Sequence, residues 1–461
     1  MFLACLVASG CAQARGPLTT PVQEEAGAVF IYLSPFPREA ARLAFRLQDV
    51  SAVQEDGAAV PLPLLLHDAV GAEPNRERRL AGGDLPPGRY SALAIRVTAA
   101  SFRGEEGPAA LLPPPEPVTV PVLFTVEKRR AVVLSLRLDY RGSIDAGFRF
   151  APVFSAAIAP RPAPGLLGLA SSRMANVVTL FDKVSGQVVG AVLTGLRPTG
   201  LAVDSDRHRA YVADAGESTV EAIGLLEQRV VSRLRLRGGD EPVELALTPD
   251  GRTLLSANAG SSTVSVIDAL SLFEVARVQV GNSPTSVTVD RSGTRAYAFN
   301  SGSSTITAID IASRAVAGTI GTEAGPLRGH FSRAGDRLYV IHRSSPYLTI
   351  VDPPALAVSG KVYVGPGAMA LKVDAQTDRI YLARRNTGSV EIFDPLSLLP
   401  VDSIPIEADG AHLAIDGEEN NLYIVLSRKN EVQVIRIVGQ ETVARIEVGE
   451  DPYGLALSGE R

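Results

Sequence analysis

The 461-residue sequence contains no tryptophan and only two cysteines, Cys5 and Cys11, both close to its start. Nothing after Cys11 can form a disulfide bond or a thiolate metal site within this sequence. Aromatic residues make up 5% of the chain, so a folded core must be built mainly from aliphatic side chains. This composition favours β-branched strands, and the lack of tryptophan excludes repeats that depend on a Trp-Asp pair.

Motifs for several well-defined chemistries are also missing. The sequence has no Cys-x-x-Cys-His haem motif, no His-Glu-x-x-His zinc motif, no Gly-x-Ser-x-Gly nucleophile motif and no phosphate-binding P-loop. A haem-carrying or metal-hydrolase function has no local support, and no cofactor or metal is predicted. The net charge of −5 and the shortage of aromatic side chains for base stacking argue against nucleic-acid binding.

The stretch Leu-Val-Ala-Ser-Gly-Cys at residues 6–11 resembles a bacterial lipobox, in which small residues precede a cysteine that receives a lipid. Two departures are Ala8, where leucine is preferred, and a leader without lysine or arginine. We expect residues 1–11 to be a lipoprotein-type signal segment lipidated at Cys11, and residues 12–26 to be a tether. The alternative is an ordinary signal-peptide fragment or an arbitrary apolar start. Without a long apolar span, the chain is predicted to be anchored to a membrane of the cell envelope, periplasmic or surface-exposed.

A repeat organises the second part of the chain. Ser-Ser-Thr-Val-Ser-Val-Ile-Asp at residues 261–268 returns as Ser-Ser-Thr-Ile-Thr-Ala-Ile-Asp at residues 303–310. A short apolar stretch recurs with it at intervals of 44, 42, 42, 42, 42 and 42 residues. Its copies begin at Leu201, Leu245, Val287, Gly329, Leu371, Leu413 and Leu455. Repeats of this length hold four short strands, which is the size of one β-propeller blade.

The last repeat contains only its first strand, at residues 453–458. Three strands that could complete it are predicted near the start of the repeats, at residues 166–170, 176–182 and 188–193. We therefore expect the C-terminal strand to close a ring of blades against them, because closure removes exposed sheet edges.

Three stretches carry a family resemblance. Tyr-Val-Ala-Asp at residues 211–214, Ser-Thr-Val-Ser-Val-Ile-Asp at 262–268 and Val-Gly-Asn-Ser-Pro-Thr-Ser-Val at 280–287 resemble the YVTN-type, surface-layer-like β-propellers of bacteria and archaea. The resemblance implies a seven-bladed propeller, placed at residues 166–461. It implies no particular activity, since such propellers carry many unrelated functions.

Residues 27–160 follow another pattern, in which short apolar runs alternate with polar residues between Gly and Pro turns. This predicts an antiparallel β-sandwich. Leu-Asp-Tyr at residues 138–140 and Phe-Ala-Pro-Val-Phe at 150–154 resemble a transthyretin-like domain of unknown function found in bacterial lipoproteins. The Pro-rich stretch 161–165 is predicted to be a linker that spaces the two domains semi-rigidly. The predicted sandwich strands are 28–34, 43–53, 89–102, 118–126, 131–140 and 148–158.

Alternate positions in the first strand of each repeat are predicted to face a central channel, because side chains alternate between the two sides of a strand. Later repeats gather basic residues at these positions and at one rim. The predicted ligand-binding residues are Glu244, Arg328, His330, Lys372, His412, Arg384 and Arg385. We expect this sector to bind an anion. The alternative is a solvated channel whose charges are neutralised by Glu244 and other carboxylates.

Two functions from different classes remain open. The first is a non-catalytic lipoprotein that binds an envelope protein, an anionic polymer or a small ligand through the propeller face and channel. This function is favoured because no nucleophile–base pair is recognisable. The protein is expected to be monomeric, because a closed ring needs no partner for stability. The second is a lactonase-like hydrolase, implied by resemblance to some seven-bladed relatives, with Glu244, Arg328, His330 and His412 as candidates. A metal at His330 and His412 would need a third ligand.

Overall fold

A computed structural model of the chain describes residues 26–71, 76–104, 107–145, 148–417 and 420–460. The predicted leader, the lipidation site at Cys11 and the tether up to residue 25 lie outside these ranges. The described residues form strands and turns, with single-turn 3₁₀ helices at Arg38–Ala40, Pro164–Leu166 and Ser427–Lys429. The all-β prediction is confirmed.

The N-terminal unit, residues 26–160, contains two sheets of four or more strands. One sheet has the order β12-β9-β1-β5, and the other has the order β3-β2-β6-β7 with β4 beside β2 and β8 beside β6. The strands are β1 (Gly27–Leu33), β2 (Leu43–Gln54), β3 (Ala59–Leu62), β4 (Asp68–Val70), β5 (Arg76–Leu85), β6 (Gly88–Gly104), β7 (Gly107–Leu111), β8 (Val118–Val126), β9 (Ala131–Asp139), β10 (Ile144–Asp145), β11 (Arg149–Phe150) and β12 (Val153–Ile158).

These two sheets share one apolar core, because each turns alternate side chains toward the other. In β8, Val120, Val122 and Phe124 are buried while the residues between them are exposed. Phe124 stacks on Tyr90 of β6, with ring centroids 5.1 Å apart. Strand β1 departs from this alternation, since all seven of its residues are buried. Both faces of β1 are therefore covered.

The repeat unit, residues 164–460, is a series of four-stranded antiparallel sheets. Strands β16–β19, β20–β23, β24–β27, β28–β31, β32–β35 and β36–β39 each follow one another within a sheet, and β13–β15 are joined by β40. The strands are β13 (Leu167–Ser172), β14 (Val177–Asp182), β15 (Val188–Leu193), β16 (Pro198–Asp204), β17 (Arg209–Asp214), β18 (Thr219–Gly224), β19 (Arg229–Arg235), β20 (Pro242–Leu247), β21 (Thr253–Asn258), β22 (Thr263–Asp268), β23 (Phe273–Gln279), β24 (Pro284–Val289), β25 (Arg295–Asn300), β26 (Thr305–Asp310), β27 (Ala315–Gly321), β28 (Pro326–Phe331), β29 (Leu338–His342), β30 (Tyr347–Asp352), β31 (Ala357–Tyr363), β32 (Ala368–Val373), β33 (Ile380–Arg384), β34 (Ser389–Phe393), β35 (Pro400–Pro405), β36 (Gly410–Ile415), β37 (Asn421–Leu426), β38 (Glu431–Arg436), β39 (Glu441–Glu447) and β40 (Pro452–Leu457).

Strand β40 pairs antiparallel with β13, so that Leu457 lies opposite Gly168 and Leu455 opposite Ala170. The first strands of successive sheets pack beside one another in the order β16, β20, β24, β28, β32, β36 and β40. Strand β40 in turn packs beside β16. The strands that carry the sequence repeat are thus neighbours in space.

A tyrosine in the second strand of several sheets bonds to the next sheet. The hydroxyl of Tyr211 donates to the carbonyl of Ala269 at 2.9 Å, and that of Tyr423 donates to the carbonyl of Lys183 at 3.3 Å. Both tyrosines are fully buried. In each case the acceptor lies in the turn after the third strand of the following sheet. The repeated tyrosine therefore satisfies its own hydroxyl and joins adjacent sheets at the same time.

The two units are not held apart, so the expectation of a semi-rigid spacer at residues 161–165 is wrong. Strand β5 of the N-terminal unit pairs in parallel with β39, placing Arg76 opposite Arg445 and Glu77 opposite Ile446. One sheet thereby runs through both units. The outer face of β1 and β9 packs on the repeat unit as well. The apolar residues of this interface include Ala28, Phe30, Tyr32 and Val133 on one side, and Phe181, Val188, Tyr423 and Val432 on the other.

Charged side chains surround the β5–β39 junction. The Arg76 guanidinium lies 3.2 Å from both Glu431 and Glu447, and the carboxylate of Glu447 also accepts the backbone N–H of Arg79 at 2.8 Å. Glu77 is 2% exposed, and its Oε2 accepts the backbone N–H of Val188 at 2.7 Å. Burial raises the pKa of Glu77 to about 8, and the nearby charge of Glu447 adds to the rise.

The substitution Glu77→Gln is expected to make the protein more stable at alkaline pH. Between the ordinary pKa of 4.5 and the folded-state value near 8, the folded protein holds a proton that the unfolded chain has released. The contribution of Glu77 to the free energy of unfolding therefore falls as pH rises through that window. The melting temperature of the variant should equal that of the native protein near pH 5 and exceed it increasingly up to pH 8. Exposed Glu116, changed to Gln, is the control; a pH-independent difference for Glu77→Gln would contradict the prediction.

Candidate functional site

Polar side chains from three different sheets meet in the space between the first strands. Arg328 of β28 reaches Glu244 of β20, with Nη2 and Oε2 3.6 Å apart. Its Nη1 lies 3.2 Å from Nδ1 of His412 in β36. Strands β20, β28 and β36 belong to sheets that are not adjacent, so these contacts cross the predicted channel. The two-residue period correctly placed all three side chains on the same side of their strands.

We call Glu244, Arg328 and His412 the upper level of the channel. Burial shifts the pKa values of its carboxylate and its imidazole. Burial raises the pKa of Glu244, although the Arg328 cation opposes the rise. Burial, together with the cations of Arg328 and Lys372, lowers the pKa of His412 well below its usual value. A guanidinium can only donate, so the neutral imidazole of His412 accepts from it through Nδ1. His412 therefore contributes no positive charge near neutral pH.

A lower level is formed by the residues two positions further along the first strands of the sheets. Lys372 of β32 contacts Glu460, with Nζ and Oε1 2.6 Å apart, and its side chain is 8% exposed. His330 of β28 has Nδ1 3.1 Å from the carbonyl of Phe331, which makes that nitrogen a donor. Burial and the Lys372 cation lower the pKa of His330 to about 3. The equivalent positions on other first strands hold Ala202, Ala246, Thr288, Ala414 and Ala456.

The predicted gathering of positive charge is thus balanced by contacts within the channel. Each of the two cations, Arg328 and Lys372, lies against a carboxylate, and both histidines are neutral. The sequence identified Glu244 as one of these carboxylates. It did not identify Glu460, because that residue follows the last strand and lies outside the repeat.

The two rim arginines are placed differently from the channel residues. Arg384 turns back to Glu391 in its own sheet and forms a close ion pair there. Arg385 is exposed in the turn between β33 and β34. Among the described residues, no ion pair joins either arginine to the channel set.

Tyr453 of β40 borders the upper level and was not predicted as a site residue. Burial raises the pKa of Tyr453, and the charge of Glu244 adds to the rise while that of Arg328 opposes it. Arg173 lies over the ring at 4.9 Å and forms two 2.9 Å hydrogen bonds to the carboxylate of Asp451. The Arg173 guanidinium is thereby fixed over the Tyr453 ring.

A second polar cluster lies inside the sheet β16–β19. Asp214 and Glu221 are both fully buried, and Arg233 forms an ion pair with Glu221. Burial, followed by the charge of Glu221, raises the pKa of Asp214 well above its usual value. The next sheet has Asn258 at the equivalent place, where Nδ2 donates to Thr263 and Ser265 at 3.1 and 2.8 Å. The equivalent position is therefore polar in both sheets, but it is an acid in the first and a neutral amide in the second.

A cleft of about 360 Å³ lies between the two units. Its floor contains Phe124, Val133 and Val189, and its lining includes Arg161 and Glu227. Within the described ranges, no group of three or more His, Cys, Asp or Glu side chains is arranged to hold a metal ion. Searched in the same ranges, no helix has the length and apolar character needed to cross a bilayer.

The solved structures with similar folds are described as different kinds of protein. Hydrazine synthase of Kuenenia stuttgartiensis aligns with 56% of this chain and 88% of its own, at 19% identity and a TM-score of 0.51. A functionally unknown protein of Desulfotomaculum acetoxidans aligns with 63% of this chain and 98% of its own, at 14% identity and a TM-score of 0.55. The dihydro-heme d1 dehydrogenase NirN aligns with 65% of this chain and 77% of its own, at 14% identity and a TM-score of 0.52. At these identities the similarity shows the fold alone.

The sequence itself gives a more specific result. No curated protein matches it. The family model described as YNCE-like beta-propeller matches residues 176–458, which is well over half of the chain. The match spans the repeat unit from β14 to β40 and includes every channel residue predicted from the sequence, while Glu460 lies just beyond its end. This protein therefore belongs to the YNCE-like β-propeller family.

Proposed function

We propose that this protein is a non-catalytic binding or scaffold module of the cell envelope, anchored by a lipid on Cys11. In this proposal the six four-stranded sheets and the set β36–β39 are the seven blades of a YVTN-type propeller, and β40 closes the ring. Support comes from the pairing of β40 with β13 and from the unbroken series of first-strand contacts that returns from β40 to β16. The N-terminal unit is proposed to be a transthyretin-like sandwich. Mass spectrometry of the mature N-terminus tests the lipid anchor.

The observation that carries a binding role is the convergence of Glu244, Arg328 and His412 from three separate sheets. Long polar side chains that cross a channel are costly to hold in place unless their polar groups are satisfied. Here they satisfy one another, and Arg328 and Lys372 remain as cations within the channel. We propose that the ligand is an anion whose carboxylate or phosphate groups replace these internal partners. The same chemistry suits an anionic envelope polymer, which the exposed Arg385 at the rim would contact.

Isothermal titration calorimetry with citrate as the probe tests this role. Lys372→Met is expected to weaken citrate binding by at least tenfold, because it removes the charge and keeps most of the side-chain volume. Arg252→Gln is the matched control, since its guanidinium is 78% exposed in a turn between β20 and β21. Retention on heparin should fall with Arg385→Glu if the ligand is a polymer. A native protein that binds neither probe would contradict the proposal.

A lactonase-like hydrolase remains the second candidate, because Glu244, Arg328 and His412 lie together beside Tyr453. A neutral histidine and a carboxylate with a raised pKa are groups that general-base chemistry can use. Lactone hydrolysis by the native protein that is lost in Glu244→Gln would favour hydrolysis over the binding role.

A further inference from the structure

The turn that follows β40 enters the lower level of the channel. Gly459 has a φ of +72°, which lets the chain reverse directly after the strand. The turn is held from two sides, since the N–H of Ser458 donates to Leu167 at 2.9 Å and the N–H of Gly417 donates to Gly459 at 3.2 Å. The carboxylate of Glu460 is thereby delivered to Lys372, 2.6 Å from its Nζ.

The surroundings of this ion pair are small and neutral. Four of the equivalent first-strand positions are the alanines Ala202, Ala246, Ala414 and Ala456, and Thr288 is the fifth. His330, the remaining member of this level, is neutral. Among these seven described positions, Lys372 therefore supplies the single cation, and the head of Glu460 occupies the space that the short side chains leave.

We propose that the lower channel is a binding site for small carboxylates and that Glu460 is its built-in competitor, a role that rests on the proposed anion-binding function. A ligand carboxylate takes the place of the Glu460 carboxylate on Lys372, and the turn at Ser458–Glu460 moves aside. No covalent step is involved, and the exchange conserves the charge balance of the channel.

The carboxylate of the upper level, Glu244, is held more firmly than that of Glu460. Glu244 belongs to strand β20, whose backbone is fixed by pairing with β21, and the backbone N–H of Leu245 adds to its stabilisation. Glu460, in contrast, is carried by a turn, and its side chain is 27% exposed. A carboxylate on a turn can withdraw with its backbone at the cost of a few hydrogen bonds, whereas Glu244 can leave Arg328 only by rotating its side chain on a fixed strand.

A tethered competitor has a predictable effect on affinity. Groups joined by a short segment meet at an effective concentration in the millimolar range or above, so a free carboxylate must compete against that concentration. The apparent dissociation constant equals the intrinsic constant divided by the fraction of sites that Glu460 leaves free. Neutralising Glu460 is therefore expected to tighten carboxylate binding by roughly tenfold or more.

The test compares citrate binding to the full chain carrying Glu460→Gln, to the native protein, and to the control Glu450→Gln, an exposed acid before β40. Glu460→Gln should bind citrate about tenfold more tightly than the native protein or the control. Adding Lys372→Met to Glu460→Gln should abolish the gain. Unchanged melting temperatures of the single variants establish that they are folded.

The outcomes separate this inference from the function on which it rests. Equal citrate affinities of the native protein and Glu460→Gln overturn the competitor role, while Lys372-dependent binding by both keeps the proposed function. Binding by both proteins that is about tenfold tighter in Glu460→Gln and is lost with Lys372→Met supports the inference. Binding by neither protein overturns the anion-binding function and the competitor role together. A gain in affinity that survives Lys372→Met also overturns the inference, since the site would then lie elsewhere.

Discussion

Replacing Lys183 by methionine should lower the free energy of unfolding by about 3–5 kcal/mol. Lys183 and Asp416 form an ion pair at 3.1 Å, with side chains that are 2% and 1% exposed. Lys183 also donates to the carbonyl of Ser458 at 2.7 Å, directly after β40. The variant removes the cation that lies against buried Asp416, and it removes the bond that ties the end of β40 to the turn after β14. Urea unfolding followed by far-ultraviolet circular dichroism measures the loss.

Lys361→Met is the matched control for this prediction. Lys361 pairs with Glu323 at 3.2 Å, but their side chains are 56% and 35% exposed. Water stabilises the separated charges there, so the expected loss is below about 1 kcal/mol. Equal losses in the two variants would mean that burial of the Lys183 pair does not determine its contribution to stability. The double variant Lys183→Met with Asp416→Asn should recover part of the lost stability, because the buried carboxylate charge is removed together with the cation that balanced it.

Phe30→Ala should cost about 3–5 kcal/mol and uncouple the two units. Phe30 is 8% exposed between the N-terminal unit and the repeat unit, and the guanidinium of Arg79 lies 4.6 Å from its ring centroid. Truncation removes the ring from the apolar interface and removes the cation–π contact with it. We expect the native protein to unfold in one calorimetric transition and the variant to unfold in two, because the interface no longer couples the units.

Phe273→Ala is the control, since Phe273 is 64% exposed at the start of β23 and should change stability little. A single transition in Phe30→Ala with a loss below about 1 kcal/mol would contradict a cooperative interface.

The repeat unit was predictable because its signal is copied many times. The stretches at 261–268 and 303–310 contain β22 and β26, and the strands predicted at 176–182 and 188–193 are β14 and β15 within one residue. One copy of a short apolar run is ambiguous between a strand and other buried structure. Several copies at a constant interval remove that ambiguity, because each must form the same element.

The N-terminal unit was predicted less completely, and one of the strands that were missed, β5, is the strand that joins the units. Strand β5 begins Arg-Glu-Arg-Arg, which is typical of an exposed loop rather than a strand. Its charges are tolerated because Arg76 and Glu77 meet Glu431, Glu447 and the backbone of Val188 across the junction. Those partners lie more than a hundred residues away in the chain, so no local pattern reveals them.

The channel residues were predicted by type but not by partner. The two-residue period determines the direction in which Arg328 and Lys372 point. It gives no distance, so it could not show that Glu244 and Glu460 lie within reach. The sequence also suggested His330 and His412 as potential cations, but their burial keeps them neutral. Arg384 was predicted to lie at the channel rim. Its ion pair with Glu391 of the adjacent strand β34 could not be predicted from the repeat pattern.

The strands of the sheet that joins the two units are synthesised at different times. Strand β5 and the outer face of β1 are made early, but their partner β39 is completed about 290 residues after β12. At roughly 5–20 residues per second the ribosome needs about 15–60 s to produce that length. During this delay the newborn N-terminal unit presents an unpaired edge and the side chains of Phe30 and Tyr32 to its surroundings. The newly made N-terminal unit is therefore open to pairing with other chains until the last repeats arrive.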